Sequence, residues 1–258
     1  MKYILLCLIF IHLSYADDQL QKADDLFNEA LKEALKDDYK AKQLYEKSAE
    51  QYELFLAHSK LRNGKIYYNL ANAYFFSDEL GLAILNYRKA ELYMPYNEQL
   101  QHNIKFTKGQ TADDMSSLRN DIYYWLFIWH NRLSTLSRLF IMTVFLALFW
   151  FCIYRKLYSG KIMVLTLSTS AILSFILALS ISKSLFFPDQ TIRGVVTQKE
   201  TTPRKGNSFV YESAFDGNLH AGTEFTLIEK RDNWHFIELE NGKQCWLPSY
   251  TVGLVETE

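Results

Sequence analysis

The stretch Gly64-Lys65-Ile66-Tyr67-Tyr68-Asn69-Leu70-Ala71-Asn72-Ala73-Tyr74-Phe75-Phe76, continued by Ala83-Ile84-Leu85-Asn86-Tyr87-Arg88-Lys89-Ala90 and Pro95, decides how the N-terminal half is read. Tyr67, Leu70, Ala71 and Tyr74 recur at helical spacing, and Ala83, Tyr87 and Ala90 do so again. Two helices joined by a short turn are therefore predicted. Small residues at Ala71 and Ala83 let the helices cross closely, while Tyr67, Tyr74 and Tyr87 fill the space around the crossing. Pro95 ends the second helix, because proline lacks the amide donor that would continue it. Asp78 stands in the turn where glycine is usual, and aspartate tolerates left-handed backbone better than most residues.

Tyr67, Leu70, Ala71, Tyr74, Ala83, Tyr87, Ala90 and Pro95 share the phase of one 34-residue unit and resemble the tetratricopeptide repeat. The phase returns weakly at Ala41, Tyr45 and Ser48, offset by 42 residues, so the upstream unit is degenerate or has a lengthened helix. Asp37-Asp38 interrupts the pattern and can start a long helix from about Tyr39 to His58, with acidic groups at its N-terminus. Asn97 can cap a further helix carrying Leu100, Ile104 and Phe106, which would cover the open end of a short array. The expected helical domain covers residues 17–107.

Charge and cysteine content narrow the function classes. The 258 residues hold 28 Lys plus Arg against 29 Asp plus Glu, a net charge near zero. That argues against nucleic acid as a partner, which needs a basic face. Of the three cysteines, Cys7 falls in an N-terminal apolar run and Cys152 in a later one, leaving only Cys245 in an aqueous domain. No disulfide framework and no metal site are expected, and no cofactor is implied.

Residues 1–16 read as a secretory signal. Lys2 supplies the charge, Tyr3 to His12 is nearly all apolar, and Ser14-Tyr15-Ala16 is a small-x-small site before Asp17-Asp18. An uncleaved anchor is the alternative, and both place residue 17 onward outside the cytoplasm. Residues 108–133 form a polar linker followed by the aromatic run Ile122 to Trp129, read as interfacial. Two spans are expected at 134–154 and 162–182, each ~20 residues, the length that crosses a bilayer core. Arg138 lies close enough to one end to snorkel. Arg155, Lys156 and Lys161 mark the 155–161 loop as cytoplasmic, although Arg132, Arg138 and Lys183 weaken the bias. Both flanking domains would then be periplasmic.

From about residue 190 the pattern changes to short β segments: Gly194-Val195-Val196, Glu224 to Ile228 and Trp234 to Leu239. Turn signals at Lys205-Gly206-Asn207, Ala221-Gly222 and Asn241-Gly242 separate them. The spacing suits a small all-β barrel of five or six strands over residues 190–258. Gly222, Trp234, Asn241-Gly242 and Trp246 resemble the bacterial SH3-like domain, with Cys245 where that family usually has glycine. The fold class is therefore multidomain: an all-α tetratricopeptide-like repeat, two transmembrane helices and a small SH3-like barrel.

The whole order of elements resembles the Bacteroides aerotolerance operon protein E (BatE) family. The closest motif matches are Tyr67 to Tyr74 and Ala83 to Ala90; by architecture the resemblance covers nearly the full chain, and its sharp motifs cover about a fifth of it. The resemblance implies a bacterial inner-membrane protein working beside von Willebrand-type Bat proteins and a MoxR-type ATPase.

No catalytic constellation stands out, and no phosphate-cradling loop is present. Asp24-Asp25 and Asp113-Asp114 read as solvated or capping acids, His220 and His235 as ordinary sheet residues, and Cys245 as a semi-buried structural thiol. The better candidate is a stripe on the first repeat helix: Lys65, Tyr68, Asn69, Asn72 and Phe76, at i, i+3, i+4, i+7 and i+11. By its resemblance to tetratricopeptide proteins the stripe lines a protein-binding groove. The alternative is that it packs on the long upstream helix. Trp234 and Trp246 offer a second surface on the sheet. These readings predict a non-enzymatic envelope scaffold. The alternative is a module that holds peptidoglycan through its SH3-like domain.

Overall fold

The computed structural model describes residues 2–59, 61–113, 133–159, 164–186 and 191–256. Contacts divide the chain into two units: one from residues 1–118 and 192–258, the other from 119–191. The first unit contains helices α1 (Lys2–Glu33), α2 (Asp38–His58), α3 (Gly64–Phe76), α4 (Leu80–Tyr93) and α5 (Glu98–Lys108). α1 runs without a break through the Ala16–Asp17 junction. The starts of α2, α3 and α5 follow from side chains that replace missing intrahelical partners. Asp37 accepts from the Lys40 amide at 3.1 Å, Asn63 from Ile66 at 3.0 Å and Asn97 from Leu100 at 2.9 Å. The α3–α4 turn is made by Asp78, which takes the left-handed conformation at φ 73°.

Close crossing explains the small residues. Ala71, Ala73, Ala83 and Ala90 are fully buried, and Tyr52, Tyr67, Leu70, Tyr87, Leu100 and Ile104 complete one apolar core. A satellite cluster of Ala30, Ala41, Leu44 and Tyr45 holds α1 against α2. Phe106, expected to help cover the open end, is instead exposed on α5.

The rest of this unit is a five-stranded antiparallel sheet of order β6-β5-β4-β1-β7 and a separate two-stranded ladder, β2-β3. The strands are β1 (Arg193–Val196), β2 (Glu200–Thr201), β3 (Leu219–His220), β4 (Glu224–Arg231), β5 (Trp234–Leu239), β6 (Gln244–Pro248) and β7 (Val252–Val255). The large sheet is open. Its edges, β6 and β7, are joined through a short 3-10 turn, Ser249–Thr251, and not by a ladder that would close a barrel. Val196, Leu219, Phe225, Ile237, Leu239, Cys245 and Leu247 form its core. Burial pushes the Cys245 thiol up to about 12, so the thiolate needed for redox chemistry is scarce at neutral pH.

The helical layer and the sheet pack together, although the two apolar helices separate them in sequence. Ile84 and Leu85 of α4 bury against Val195 and Val255 of β1 and β7. Each such side chain gains ~1.5–3 kcal/mol relative to exposure. Gly81 permits the close approach, since a Cβ there would lie 2.6 Å from the Val196 carbonyl oxygen. Gly222, at φ 93°, turns the chain beside Ile84.

A charged clamp flanks this apolar contact. Arg88 Nε donates to Glu224 Oε1 at 2.5 Å and Nη2 to Oε2 at 3.1 Å, while Lys108 Nζ also donates to Glu224. Arg88 is held in turn by Glu91 at 2.9 Å, and Glu91 reaches Arg193 at 3.7 Å. A second clasp lies at Asp113, which accepts from the His220 amide at 2.8 Å and the Thr223 hydroxyl at 2.6 Å. Burial disfavours the charged form of Asp113. Hydrogen bonds from Thr223 and His220 outweigh it and hold the carboxyl below its usual range.

The second unit contains α6 (Thr135–Ser159) and α7 (Val164–Phe186). Both are long and apolar enough to cross a membrane. α6 continues past Arg155 and Lys156, which the sequence reading assigns to a loop, and α7 continues past Lys183. Arg138 is buried between the two helices instead of reaching outward. Its guanidinium donates to Ser180 Oγ at 2.8 Å, Ser184 Oγ at 3.0 Å and Thr135 Oγ1 at 3.2 Å. The expected interfacial run Ile122 to Trp129, and the end of the 155–161 loop, lie outside the described residues.

The Glu224 clamp predicts an acid-sensitive fold. Burial raises its pKa, but Arg88 and Lys108 outweigh burial and hold it at about 2, against 4.5 for a free glutamate. The difference is worth roughly 3 kcal/mol. A depressed carboxylate gives this stability above pH ~4.5 and loses it as pH falls toward ~2. Thermal unfolding of Glu224→Gln should show lower stability at neutral pH, because Arg88 keeps only Glu91. Between pH 5 and pH 2.5, by the same linkage, the variant should lose roughly 2–3 kcal/mol less than the wild type.

Candidate functional site

The α3 stripe presents different chemistry along its length. Lys65 is exposed near the helix start. Tyr68, Asn69 and Asn72 are half-buried, and Phe76 is 43% exposed at the helix end. Helical spacing puts them on one face, but four neighbouring helices then divide that face among them.

α5 takes the polar middle. Asn103 Nδ2 donates to the Tyr68 hydroxyl at 3.0 Å and lies 3.3 Å from Asn72 Oδ1. Asn72 Oδ1 also accepts from the Tyr87 hydroxyl at 2.6 Å. A four-residue network therefore ties α3, α4 and α5 together. Burial raises the Tyr87 pKa above the ordinary tyrosine range, so its phenol remains a donor. Asn69 belongs to a different network, beside the Tyr52 hydroxyl, which donates to Asp24 on α1.

The apolar end is an aromatic ribbon. Phe76 stacks on Tyr45 at 5.0 Å and meets Phe27 edge-on at 6.0 Å, so the upstream helices receive one side of its ring. Phe75 lies 5.3 Å away, Phe106 of α5 packs on Phe75 at 5.8 Å, and His102 stacks on Phe106 at 6.4 Å. Centroid separations of 4.5–7 Å are those of favourable aromatic pairs. Phe106 is 54% exposed, so the ribbon offers two half-open rings, Phe76 and Phe106, to solvent. His102 and Asn103 are missed by sequence reasoning, and Phe106 is read there only as covering the open end. Their helix reads as an end cap, and no local signal places it along the α3 stripe.

The sheet's tryptophans are buried. Trp234 is 8% and Trp246 9% exposed. Phe209 packs edge-on over Trp234 at 4.9 Å, Phe236 stacks on Trp246 at 5.1 Å, and Arg231 lies over Trp246 at 5.1 Å. The large apolar residues that face solvent here are instead Phe209, Val210 and Tyr211, with Ile228 and Tyr250 apart from them in sequence.

An open cleft of about 460 Å³ lies between the start of α4 and the β1–β2 turn, lined by Glu79, Leu82, Thr197, Gln198, Lys199 and Glu200. Its mixed charges converge on no single chemistry. Among the described residues, no group of three or more His, Cys, Asp or Glu side chains is placed to hold a metal ion.

No protein-family model matches this chain, and comparison with curated proteins and with solved structures likewise finds no match.

The division of the stripe yields a test. Asn103→Ala removes the donor shared by Tyr68, Asn72 and Tyr87 and should cost about 1–2 kcal/mol of unfolding free energy. Phe106→Ala removes a ring already half in water and should cost less than about 1 kcal/mol. Urea unfolding of the two variants measures both, and equal costs would mean that Asn103 does not hold α5 in place.

Proposed function

We propose that this chain is a non-enzymatic, membrane-anchored adaptor that binds partner proteins through its helical layer. The observation that carries the reading is the aromatic ribbon. Phe76 and Phe106 are half-exposed rings in a row of packed aromatics, beside the polar groups of Tyr68 and Asn72. Rigid aromatics next to fixed hydrogen-bonding groups make strong anchors for another protein.

Under this reading the α3–α4 hairpin is a tetratricopeptide-like repeat, the Asp78 turn standing in for the usual glycine. The sheet is a relative of SH3-like domains. Its Asn241-Gly242 turn, with Gly242 at φ 80°, is the feature that most supports this. α6 and α7 are two spans of a bacterial inner membrane, and the helical domain and the sheet domain on either side of them are periplasmic. The helical layer and the sheet pack on one another, which requires an even number of crossings between them. The order of elements is that of the BatE family, whose expected partners are von Willebrand-type Bat proteins and a MoxR-type ATPase.

Crosslinked co-purification from membranes tests this function. Replacing Phe76 and Phe106 with Ala should reduce recovery of a protein partner about thirtyfold or more, the equivalent of ~2 kcal/mol at a hot spot. The variant should still reach the membrane with an unchanged helical spectrum. Undiminished recovery would remove the ribbon from recognition. Retention on purified peptidoglycan with no protein partner would move the function to the sheet.

A further inference from the structure

Three features weaken the end of the sheet where β4 turns into β5. A bulge interrupts their register between Leu227 and Glu229, which disrupts the ladder locally. Asp232, in the turn, holds a left-handed backbone at φ 50°, a conformation that side chains adopt at some cost. His235 then lies on the core face of β5. It stands two residues before Ile237 and opposite Leu247, both of them fully buried. Its Nδ1 is closed off from solvent and has no hydrogen-bond partner among the described residues.

This place suits a neutral imidazole better than a charged one. Neutral histidine needs one ring proton, which Nε2 can carry, and Nδ1 is then an idle acceptor. Protonation puts an N–H donor and a positive charge on a buried atom that has no acceptor, which costs more than an idle lone pair. The neighbouring charges add to that cost. Lys230 of β4 is the direct cross-strand partner of His235, and Glu256, which follows β7, pairs with Lys230 at 2.8 Å. β6 presents the apolar Leu247. Glu229 and Arg231 pair with each other on the opposite face, where Arg231 covers Trp246. Burial and then Lys230 hold the His235 imidazole below its ordinary pKa of 6.5, while Glu256 pulls it upward.

We infer that His235 is a proton-sensitive latch: proton uptake there opens the β4–β5 end of the sheet and uncovers the buried Trp234 beside it. An open hairpin returns the ring to water, where it binds a proton with ordinary strength. Closure is therefore fully favoured above pH ~6.5 and weakens as pH falls through the lower value of the closed form. Glu224, held at about 2, titrates in a more acidic range, so the two responses are separable.

The test is hydrogen exchange of the full chain in detergent, read by mass spectrometry at about pH 7.5 and about pH 5 and corrected for the intrinsic exchange rate. The amides from Ile228 to Ile237 should lose protection at the lower pH, by up to about tenfold for each pH unit between the closed and open pKa of the ring. Amides of α4 in the same sample should hold theirs. His235→Phe, which has no ionisable ring, should keep the hairpin equally protected at both pH values, and His235→Gln serves in its place if the phenyl ring is not accommodated. A wild-type hairpin equally protected at both pH values would overturn the latch. So would a folded Phe or Gln variant that loses protection as the wild type does.

Discussion

The packing of α4 on the β1 and β7 edge is the contact on which the rest of the molecule depends. It joins parts of the chain that lie more than a hundred residues apart, as the Arg88–Glu224 pair does. The apolar contact supplies attraction without direction. Direction comes from the charges around it. Arg88 places two donors on one carboxylate, and such forked pairs fix orientation as well as adding energy. The clamp is poorly exposed, with 14–15% of the Arg88 and Glu224 side chains accessible, so solvent screens it weakly. A buried pair is not by itself evidence of net stability. Its clearer effect is to make one register of helix on sheet better than its neighbours.

Asp113 does a similar task for the connection. It precedes the second unit in sequence, and it is bonded to His220 and Thr223. Arg193, at the start of β1 where the chain returns, is paired with Glu91 of α4. Asp113 before the 119–191 unit and Arg193 after it are thus both fastened to the same packed body. Within that unit, Arg138 is the corresponding device. A cation between two apolar helices is costly unless its donors are satisfied, and Ser180, Ser184 and Thr135 accept from it. The bonds to Ser180 and Ser184 run between the helices, so they offset part of this cost and help fix which faces of α6 and α7 meet.

What could be read from the sequence was local. Asp37 and Asn97 cap helices because a short acceptor at that position meets a free amide, and this depends only on neighbouring residues. Ala71, Ala83 and Asp78 were legible for the same reason: one helix period and one turn decide their size and backbone. The two long apolar helices followed from length and composition. The α4–sheet docking was not legible, because Ile84 and Leu85 look like ordinary core positions of a helical hairpin. Nor was the α5 contribution, since nothing near Asn103 signals that its amide meets Tyr68 and Tyr87. Trp234 and Trp246 are the instructive pair. Their place in the strand pattern was readable, but their burial was decided by Phe209 and Arg231, which reach them only through tertiary structure.

These long-range contacts bear on topology more strongly than the loop charges do. Basic residues flank the apolar helices on both sides: Arg155 and Lys156 on one, Arg138 and Lys183 on the other. A bias counted from such loops is weak when the counts are close. Packing supplies a separate argument. The helical layer and the sheet share buried apolar side chains and a multidentate ion pair, contacts that form only in one aqueous compartment. Asp113 and Ile192 are both bonded into that body, so between them the chain must cross a bilayer an even number of times, or not at all. Two helices of sufficient length and apolarity lie between those points among the described residues. If those helices cross a membrane, the clamp that orders the helix–sheet body constrains their arrangement too, since an odd number of crossings would break the Arg88–Glu224 and Asp113–His220 contacts together.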